Sequence, residues 1–157
     1  MDRAKLYFDT FESPLGPLYI VMMESELVGL TFERPHLRAA GAPENLRREL
    51  SGYFGGNLRE FSQNVSFTGG TEFERQVWLA LPEIPYGETR TYKWMAERVG
   101  CPRGSRAVGQ ALRKNPIPIV LPCHRVIESD GKLGGYALGE DIKRRLLHME
   151  YYHLREK

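Results

Sequence analysis

The stretch TYKWMAERVGCPRGSRAVGQALRKNP, residues 91–116, decides the fold of the C-terminal half of the chain. Apolar residues recur at helical spacing on both sides of the Gly100–Pro102 break, which predicts two short helices joined by a tight turn. The first begins near Thr91. The second runs over residues 105–114, and its predicted inner face consists of Ala107, Val108, Ala111 and Leu112. Such a pair is typical of a helix-turn-helix, although many helix pairs of this kind bind nothing.

The outer face of the second helix is polar and contains a glycine. A helix-turn-helix would present Arg106, Gly109, Gln110 and Arg113 to its ligand. A glycine inside a short helix costs roughly 0.5–1 kcal/mol relative to alanine, so Gly109 needs a compensating reason. Close approach of another backbone would supply one, and that neighbour is either DNA or an adjacent helix of the core.

The segment after this helix leads to a candidate nucleophile. Asn115 ends the helix, and three prolines between residues 116 and 122 keep the chain extended as far as Cys123. A thiol beside the imidazole of His124 and the guanidinium of Arg125 is expected to be biased toward the thiolate, the form that attacks carbon. Full ionisation of a free thiol gains only about 30-fold in rate, so most of any acceleration must come from positioning the substrate.

The last predicted helix, over residues 140–155, carries a carboxylate among its apolar residues. Those apolar residues are Ile142, Leu146, Leu147 and Leu154. Glu150 falls on the same face, so it either has a buried partner or extends to solvent. With a buried partner, Cys123, His124 and Glu150 can form a relay. The carboxylate then orients the imidazole, and the imidazole takes the thiol proton directly or through a water.

A glycine-rich loop separates the cysteine from the last helix. Its glycines surround Tyr136 and are Gly131, Gly134, Gly135 and Gly139. This composition fits a loop that folds around a flat ligand, although a plain mobile loop is the commoner meaning.

The N-terminal part predicts short strands followed by a helix. Strands are expected over residues 5–10, 17–23 and 27–33, as an antiparallel meander, with another near Leu58–Phe67. A helix is expected from Pro43, with Leu46, Leu50, Tyr53 and Phe54 on its apolar face. Gly69–Gly70 marks the domain boundary, and a capping box at Thr71 and Glu74 begins the helical half. The predicted class is therefore α+β, with domains over residues 1–68 and 69–157.

Composition places the chain among globular proteins of a reducing compartment. Of its 157 residues 41% are hydrophobic and 27% charged, and no window is apolar enough for a membrane span or a signal peptide. We therefore expect a cytoplasmic location, or a nuclear one in a eukaryote. The two cysteines, Cys101 and Cys123, form neither a disulfide framework nor a metal motif, so no metal is predicted. Cys101 precedes the second helix as a structural thiol or an oxidisable one.

Charge is distributed unevenly along the chain. Between Glu97 and Glu128 lie six basic residues and no acidic one: Arg98, Arg103, Arg106, Arg113, Lys114 and Arg125. This run predicts an anionic partner, with nucleic acid the leading case, or else a solvated surface.

The motifs together resemble one protein family. Thr91–Tyr92, Ser105–Gly109, Asn115–Pro116, Pro122–Val126 and Leu146–Glu150 occur in the order and spacing of the O6-alkylguanine-DNA alkyltransferases. The resemblance covers about residues 71–151 and is most specific around Cys123. It implies a ribonuclease-H-like N-terminal domain and a winged-helix-like C-terminal domain. It also implies a monomeric DNA repair protein that needs no cofactor and binds double-stranded DNA containing O6-alkylguanine.

The resemblance also implies roles for individual residues. The protein would rotate the alkylguanine out of the duplex and transfer its alkyl group to Cys123 once, irreversibly. The catalytic set would be Cys123, His124, Glu150, Asn115 and Tyr92. DNA would be contacted in the minor groove by Ser105, Arg106, Ala107, Gly109, Arg113 and Arg125, with Arg106 filling the space of the flipped nucleotide. The base pocket would be lined by Tyr92, Leu112, Val126, Tyr136 and Ala137.

Finer expectations concern the base itself. The Tyr92 hydroxyl would donate toward the purine, the carbonyls of Cys123 and Val126 would accept from its exocyclic amine, and the amide of Ala137 would face O6. Ala137 stands where the family often has serine, and a backbone donor survives that change.

Two other classes of function fit parts of the pattern. A cysteine hydrolase using Cys123, His124 and Glu150 would turn over repeatedly through an acyl-enzyme. A non-catalytic helix-turn-helix or lesion-binding protein would transfer nothing, but lesion-binding relatives of the family carry tryptophan at the position of Cys123.

Overall fold

The computed structural model of the protein describes residues 5–156 and divides into two compact units, Met1–Gly69 and Gly70–Lys157. Residues 1–4 and 157 of the predicted domains lie outside the described part. Each unit has its own sheet and its own buried residues. Among the described residues, no helix combines the length and the apolar character needed to span a bilayer.

The N-terminal unit is built on a four-stranded sheet. Strands β1 (Leu6–Ser13), β2 (Gly16–Met23) and β3 (Glu26–Thr31) form the predicted antiparallel meander. The short strand β4 (Arg38–Ala39), which the sequence pattern did not predict, pairs parallel with β1 and gives the order β3-β2-β1-β4. Alternate residues of β2 face the core and are buried: Leu18, Ile20 and Met22.

Helix α1 (Glu44–Phe54) follows the sheet, and Pro43 is its N-cap rather than its first residue. Its predicted apolar face is confirmed, because Leu46, Leu50, Tyr53 and Phe54 are all buried.

The strand predicted near Leu58–Phe67 is absent. Only Val65 makes an isolated bridge, with Leu27. The backbone of Ser62 instead donates to the carboxylate of Glu49, at 3.0 and 3.2 Å. Pairing with β3 is confined to Leu27, whose amide donates to the Asn64 carbonyl at 2.9 Å and whose carbonyl accepts from the Ser66 amide at 3.0 Å. Pairing at a single residue leaves no period in the sequence.

The C-terminal unit is mainly helical. Its first three helices are α2 (Glu72–Ala80), α3 (Tyr92–Arg98) and α4 (Ser105–Arg113). The predicted capping box begins α2, with the Thr71 hydroxyl accepting from the Glu74 backbone at 3.1 Å and the Glu74 carboxylate accepting in return at 2.9 Å. The helix pair α3–α4 is the predicted helix-turn-helix.

The inner face of α4 differs from the prediction at one residue. Val108, Ala111 and Leu112 are buried, but Ala107 is exposed. One residue corresponds to about 100° around a helix, so Ala107 points well away from Val108.

The remaining elements surround Cys123. Two-residue strands β5 (Arg90–Thr91) and β6 (Val126–Ile127) pair in parallel, and a 3₁₀ turn over Cys123–Arg125 immediately precedes β6. Helix α5 (Glu140–Arg155) closes the unit with Leu146 and Glu150 on its buried side. Leu154, predicted to be on that side, is 36% exposed because it lies in the last turn of the helix.

Candidate functional site

Cys123 sits at the end of a tightly braced segment. The side chain of Asn115 spans the turn before it, donating to the Leu121 carbonyl at 2.8 Å and accepting from the Ile117 amide at 2.9 Å. Ile119, inside this turn, has φ of 79°, a conformation that is strained for a β-branched residue. Asn115 therefore fixes the path of the backbone that presents the thiol.

His124, Glu150 and Arg125 form a buried cluster behind the thiol. The His124 Nε2 atom lies 2.6 Å from Oε2 of Glu150. Arg125 donates to both carboxylate oxygens, each at 3.0 Å, and to the Ile84 carbonyl at 2.8 Å. The amide of Gly87 donates to Oε1 at 3.0 Å. Of the two alternatives for Glu150, a buried partner or extension to solvent, the structure shows the buried partner, which is this set of donors.

The protonation of the cluster follows from these contacts. Burial acts to raise the pKa of Glu150, but His124 and Arg125 outweigh it and hold that pKa well below its usual range. Burial lowers the pKa of His124, although Glu150 opposes the shift, so the imidazole is neutral at pH 7. An ionised carboxylate only accepts, and Nε2 must therefore carry the ring proton. Nδ1, buried and without a described hydrogen bond, is left as the basic nitrogen.

The thiol itself does not have the predicted thiolate bias. Cys123 is 1% exposed, and burial raises its pKa to about 12, although Asn115 and Lys143 act to lower it. At pH 7 the thiol is therefore protonated. The prediction is wrong because the two cationic neighbours in sequence are engaged elsewhere: the Arg125 guanidinium faces Glu150, and the His124 ring is neutral.

Arg125 is also wrongly predicted as a DNA contact. Its side chain is 6% exposed, and its described hydrogen bonds all go to Glu150 and Ile84. A guanidinium committed in this way has no free face for a phosphate. Arg125 instead neutralises Glu150 and fixes its orientation.

The glycine-rich loop covers the thiol side of the cluster. The ring of Tyr136 lies perpendicular to that of His124, with centroids 6.3 Å apart, and its hydroxyl is buried without a described hydrogen bond. Burial raises the pKa of Tyr136 well above its usual value. Ala137, the next residue, is exposed.

Tyr92, the first residue of α3, meets this loop. Its ring is partly buried, and burial raises the pKa of its hydroxyl, so it remains a proton donor at pH 7. Gly134, at φ of 75°, packs so closely that a Cβ there would overlap the Tyr92 hydroxyl. Leu112 and Val126, predicted to line the same pocket, are both buried.

We expect Gly134→Ala to lower the activity of this site more than Gly131→Ala. Both glycines have positive φ, 75° and 88°, so both alanines strain the backbone. Only the Cβ at position 134 meets Tyr92, because nothing lies within 4 Å of one at position 131. Comparing the activities of the two variants isolates the contact, and equal activities would contradict it.

The outer face of α4 is open as predicted. Arg106, Ala107 and Arg113 are exposed, and Ser105 and Gly109 are partly exposed. A Cβ at Gly109 would lie 3.8 Å from the Tyr92 ring, an ordinary contact. Packing within the protein therefore does not require glycine at this position.

One buried residue at the site was missed from the sequence. Lys143 on α5 is fully buried and donates from Nζ to the carbonyls of Val126, Leu133 and Gly135. It lies three residues before Leu146 and seven before Glu150, on the same helical stripe. That spacing is the signal that would have found it.

Two family models match the chain, one in each unit. Residues 6–67 match the 6-O-methylguanine DNA methyltransferase, ribonuclease-like domain, and residues 72–152 match the 6-O-methylguanine DNA methyltransferase, DNA binding domain.

Individual proteins agree with the family models. A methylated-DNA--protein-cysteine methyltransferase of Methanosarcina barkeri is 48% identical over 96% of this chain and 100% of its own length. One of Mycobacterium bovis is 43% identical over 92% of each chain.

Solved structures give the same result. The O6-methylguanine methyltransferase of Mycobacterium tuberculosis superposes with a TM-score of 0.87 at 41% identity, covering 94% of both chains. The M. tuberculosis protein has also been solved in complex with DNA, and that structure gives a TM-score of 0.87 at 42% identity.

Proposed function

The chain belongs to the 6-O-methylguanine DNA methyltransferase family, and from that premise we propose that it repairs O6-alkylguanine in double-stranded DNA by moving the alkyl group onto Cys123. It is a methylated-DNA--protein-cysteine methyltransferase whose acceptor is its own thiol. One observation supports Cys123 as this acceptor: its buried thiol directly precedes His124. The His124 imidazole is neutral, and Glu150 binds its Nε2 atom, which leaves Nδ1 as a base.

The chemistry is an in-line displacement at the alkyl carbon. The Cys123 sulfur forms a bond to that carbon as the bond from carbon to O6 breaks, and the electron pair leaves on the guanine. The thiol proton passes to Nδ1 of His124, directly or through a water, while Glu150 stabilises the imidazolium. Guanine takes up one proton in turn. The products are an S-alkylcysteine and an unmodified guanine.

Stabilisation of the departing guanine must lower much of the activation barrier, because the resting thiol is almost entirely protonated. The Tyr92 hydroxyl, kept protonated by its raised pKa, donates toward the purine as negative charge develops. The carbonyls of Cys123 and Val126 accept from the exocyclic amine, and the Ala137 amide faces O6. Tyr136 forms an aromatic wall of the pocket, and Leu112 adds apolar surface.

The alkylguanine must leave the duplex before it reaches the thiol. We assign the outer face of α4 to the minor groove, where the small residues Ser105, Ala107 and Gly109 allow the DNA backbone to approach closely. Close approach of the DNA backbone explains the glycine at position 109, whereas packing within the protein does not require it. Arg106 fills the space of the flipped nucleotide, and Arg113 contributes phosphate contacts.

The glycine-rich loop moves when the base is received. Cys123 is 1% exposed, and Gly134 lies against the Tyr92 hydroxyl that the purine is to contact. A planar base therefore needs displacement of residues 134–137, and the glycines make that displacement inexpensive.

Arg106→Ala is expected to slow alkyl transfer by roughly tenfold or more while nonspecific DNA binding falls only slightly. Flipping costs a few kcal/mol, and the inserted side chain offsets part of that cost. Arg103→Ala is the matched control, since it removes one exposed cation just before the same helix. Single-turnover rates and affinity for undamaged duplex distinguish the roles. If the two substitutions had equal effects on the transfer rate and on the affinity for undamaged duplex, Arg106 would not be the residue that fills the space of the flipped nucleotide.

The number of turnovers tests the proposal against its rivals. With excess O6-methylguanine duplex, transfer should stop at one methyl group per chain, because a thioether has no route back to the thiol here. A cysteine hydrolase would turn over, and a non-catalytic binder would transfer nothing. We further propose that the protein acts as a monomer in the cytoplasm, or in the nucleus of a eukaryote, where its DNA substrate lies.

A further inference from the structure

Lys143 is an unusual residue for the interior of a small domain. Lysine is almost never fully buried without a charged partner, yet its side chain is 0% exposed. All its described hydrogen bonds go to backbone carbonyls: Val126 at 2.6 Å, Leu133, and Gly135 at 3.3 Å. An ammonium has three donor hydrogens, so these carbonyls use its full capacity.

The three carbonyls belong to two different walls of the base pocket. Val126 begins β6, directly after the turn that holds Cys123. Leu133 and Gly135 belong to the loop that carries Tyr136. A single ammonium from α5 thus ties the strand beside the thiol to the loop that covers it. The Val126 oxygen is also the acceptor proposed for the guanine amine, so Lys143 holds an atom that is to contact the base.

The charge of Lys143 also acts on the reacting groups. Its Nζ lies 5.9 Å from the centre of the Tyr92 ring, and its charge lowers the pKa of the Cys123 thiol against the effect of burial. Burial lowers the pKa of Lys143 to about 8; Cys123, Glu128 and Glu140 act to raise it, and Arg113 to lower it. At pH 7 the ammonium is therefore mostly charged.

We propose that Lys143 is a positioning residue for alkyl transfer, whose charged ammonium holds the carbonyls of Val126, Leu133 and Gly135 in the arrangement that receives the base beside Cys123. The inference rests on the proposed function, because it concerns the same pocket. It gives Lys143 no contact with the alkyl group and no proton to transfer.

The first test compares Lys143→Met with Arg144→Met. Methionine keeps most of the apolar stem and removes the charge, and Arg144 is an exposed residue on the same helix. With O6-methylguanine duplex, Lys143→Met should lower the transfer rate at saturation by about 10- to 100-fold, as expected for a misplaced pocket. Its affinity for undamaged duplex should stay within about twofold of the unaltered protein. Arg144→Met should leave the transfer rate unchanged.

The outcomes separate this proposal from the proposed function. If Lys143→Met transfers at the unaltered rate, the positioning role is wrong although the repair function stands. If affinity for undamaged duplex falls as far as the rate does, Lys143 supports the unit as a whole, and the positioning role is again wrong. If the unaltered chain fails to methylate Cys123, the proposed function itself fails.

The second test removes the charge of Lys143 with pH, which leaves an amine with two N–H donors for three carbonyls. Between pH 7 and pH 9.5 Lys143 should lose most of its charge, so the transfer rate of the unaltered protein divided by that of Lys143→Met should fall toward one. Ionisation of Cys123 also increases over this range, because its pKa lies at about 12, but it acts on both proteins and is removed by taking the ratio. A ratio that stays constant from pH 7 to pH 9.5 would overturn the proposal.

Discussion

Cys123→Ser is expected to abolish alkyl transfer to below detection while the protein still binds DNA. Serine keeps the shape of the buried site, but its hydroxyl is far less acidic and less nucleophilic than a thiol. Because Cys123 is 1% exposed, nonspecific DNA affinity should change by less than about twofold. Transfer assays with O6-methylguanine duplex, together with binding to undamaged duplex, measure the two quantities.

Cys101→Ser is the matched control for that substitution. Cys101 is the other cysteine of the chain, and it is exposed rather than buried. The control should retain transfer of one methyl group per chain. Residual transfer by Cys123→Ser, or loss of transfer by Cys101→Ser, would contradict the assignment of the acceptor.

Glu150→Gln is expected to destabilise the protein by about 3–5 kcal/mol and to slow alkyl transfer by at least about 100-fold. The amide leaves Arg125 as an uncompensated buried charge. It also offers one acceptor oxygen where the carboxylate had two, and its NH2 group must face either Arg125 or His124, so the tautomer of His124 is no longer fixed with Nδ1 as the base. Urea unfolding and single-turnover transfer, both at pH 7, measure the two effects. Glu156→Gln, at the exposed end of the same helix, is the control and should change neither.

The stability difference should shrink in acid. The folded-state pKa of Glu150 lies below its unfolded value, so its contribution is complete above the unfolded pKa of about 4.3 and is lost as the pH falls. Unfolding the two proteins at pH 7 and at pH 3.5 gives the comparison. A difference that is the same at both pH values would contradict an ionised Glu150 in the folded state.

Much of the fold could be predicted because its signals are local. The capping box at Thr71, the Gly100–Pro102 break and the alternation along β2 each reflect the physics of a few neighbouring residues. The strand expected near Leu58–Phe67 was wrong, and β4 was missed, because edge pairing depends on partners far along the chain.

The site was predicted unevenly for the same reason. The helical position of Glu150 left open a buried partner or extension to solvent, and the structure brings the carboxylate to His124. The protonation of Cys123 could not be predicted, because sequence adjacency does not reveal that Arg125 turns toward Glu150 or that the thiol is sealed from solvent. Lys143 was missed although its spacing from Leu146 and Glu150 places it on the buried stripe of α5, because a lysine is ordinarily exposed and its backbone acceptors have no signature in the sequence.

The most direct measurement is to locate the transferred methyl group. The protein would be mixed with excess O6-methylguanine duplex, and its intact mass and peptides determined by mass spectrometry. We expect a gain of one methyl group per chain, all of it on Cys123, with guanine restored in the DNA. A methyl group on any other residue, more than one repaired base per chain, or an unmodified protein beside repaired DNA would contradict it.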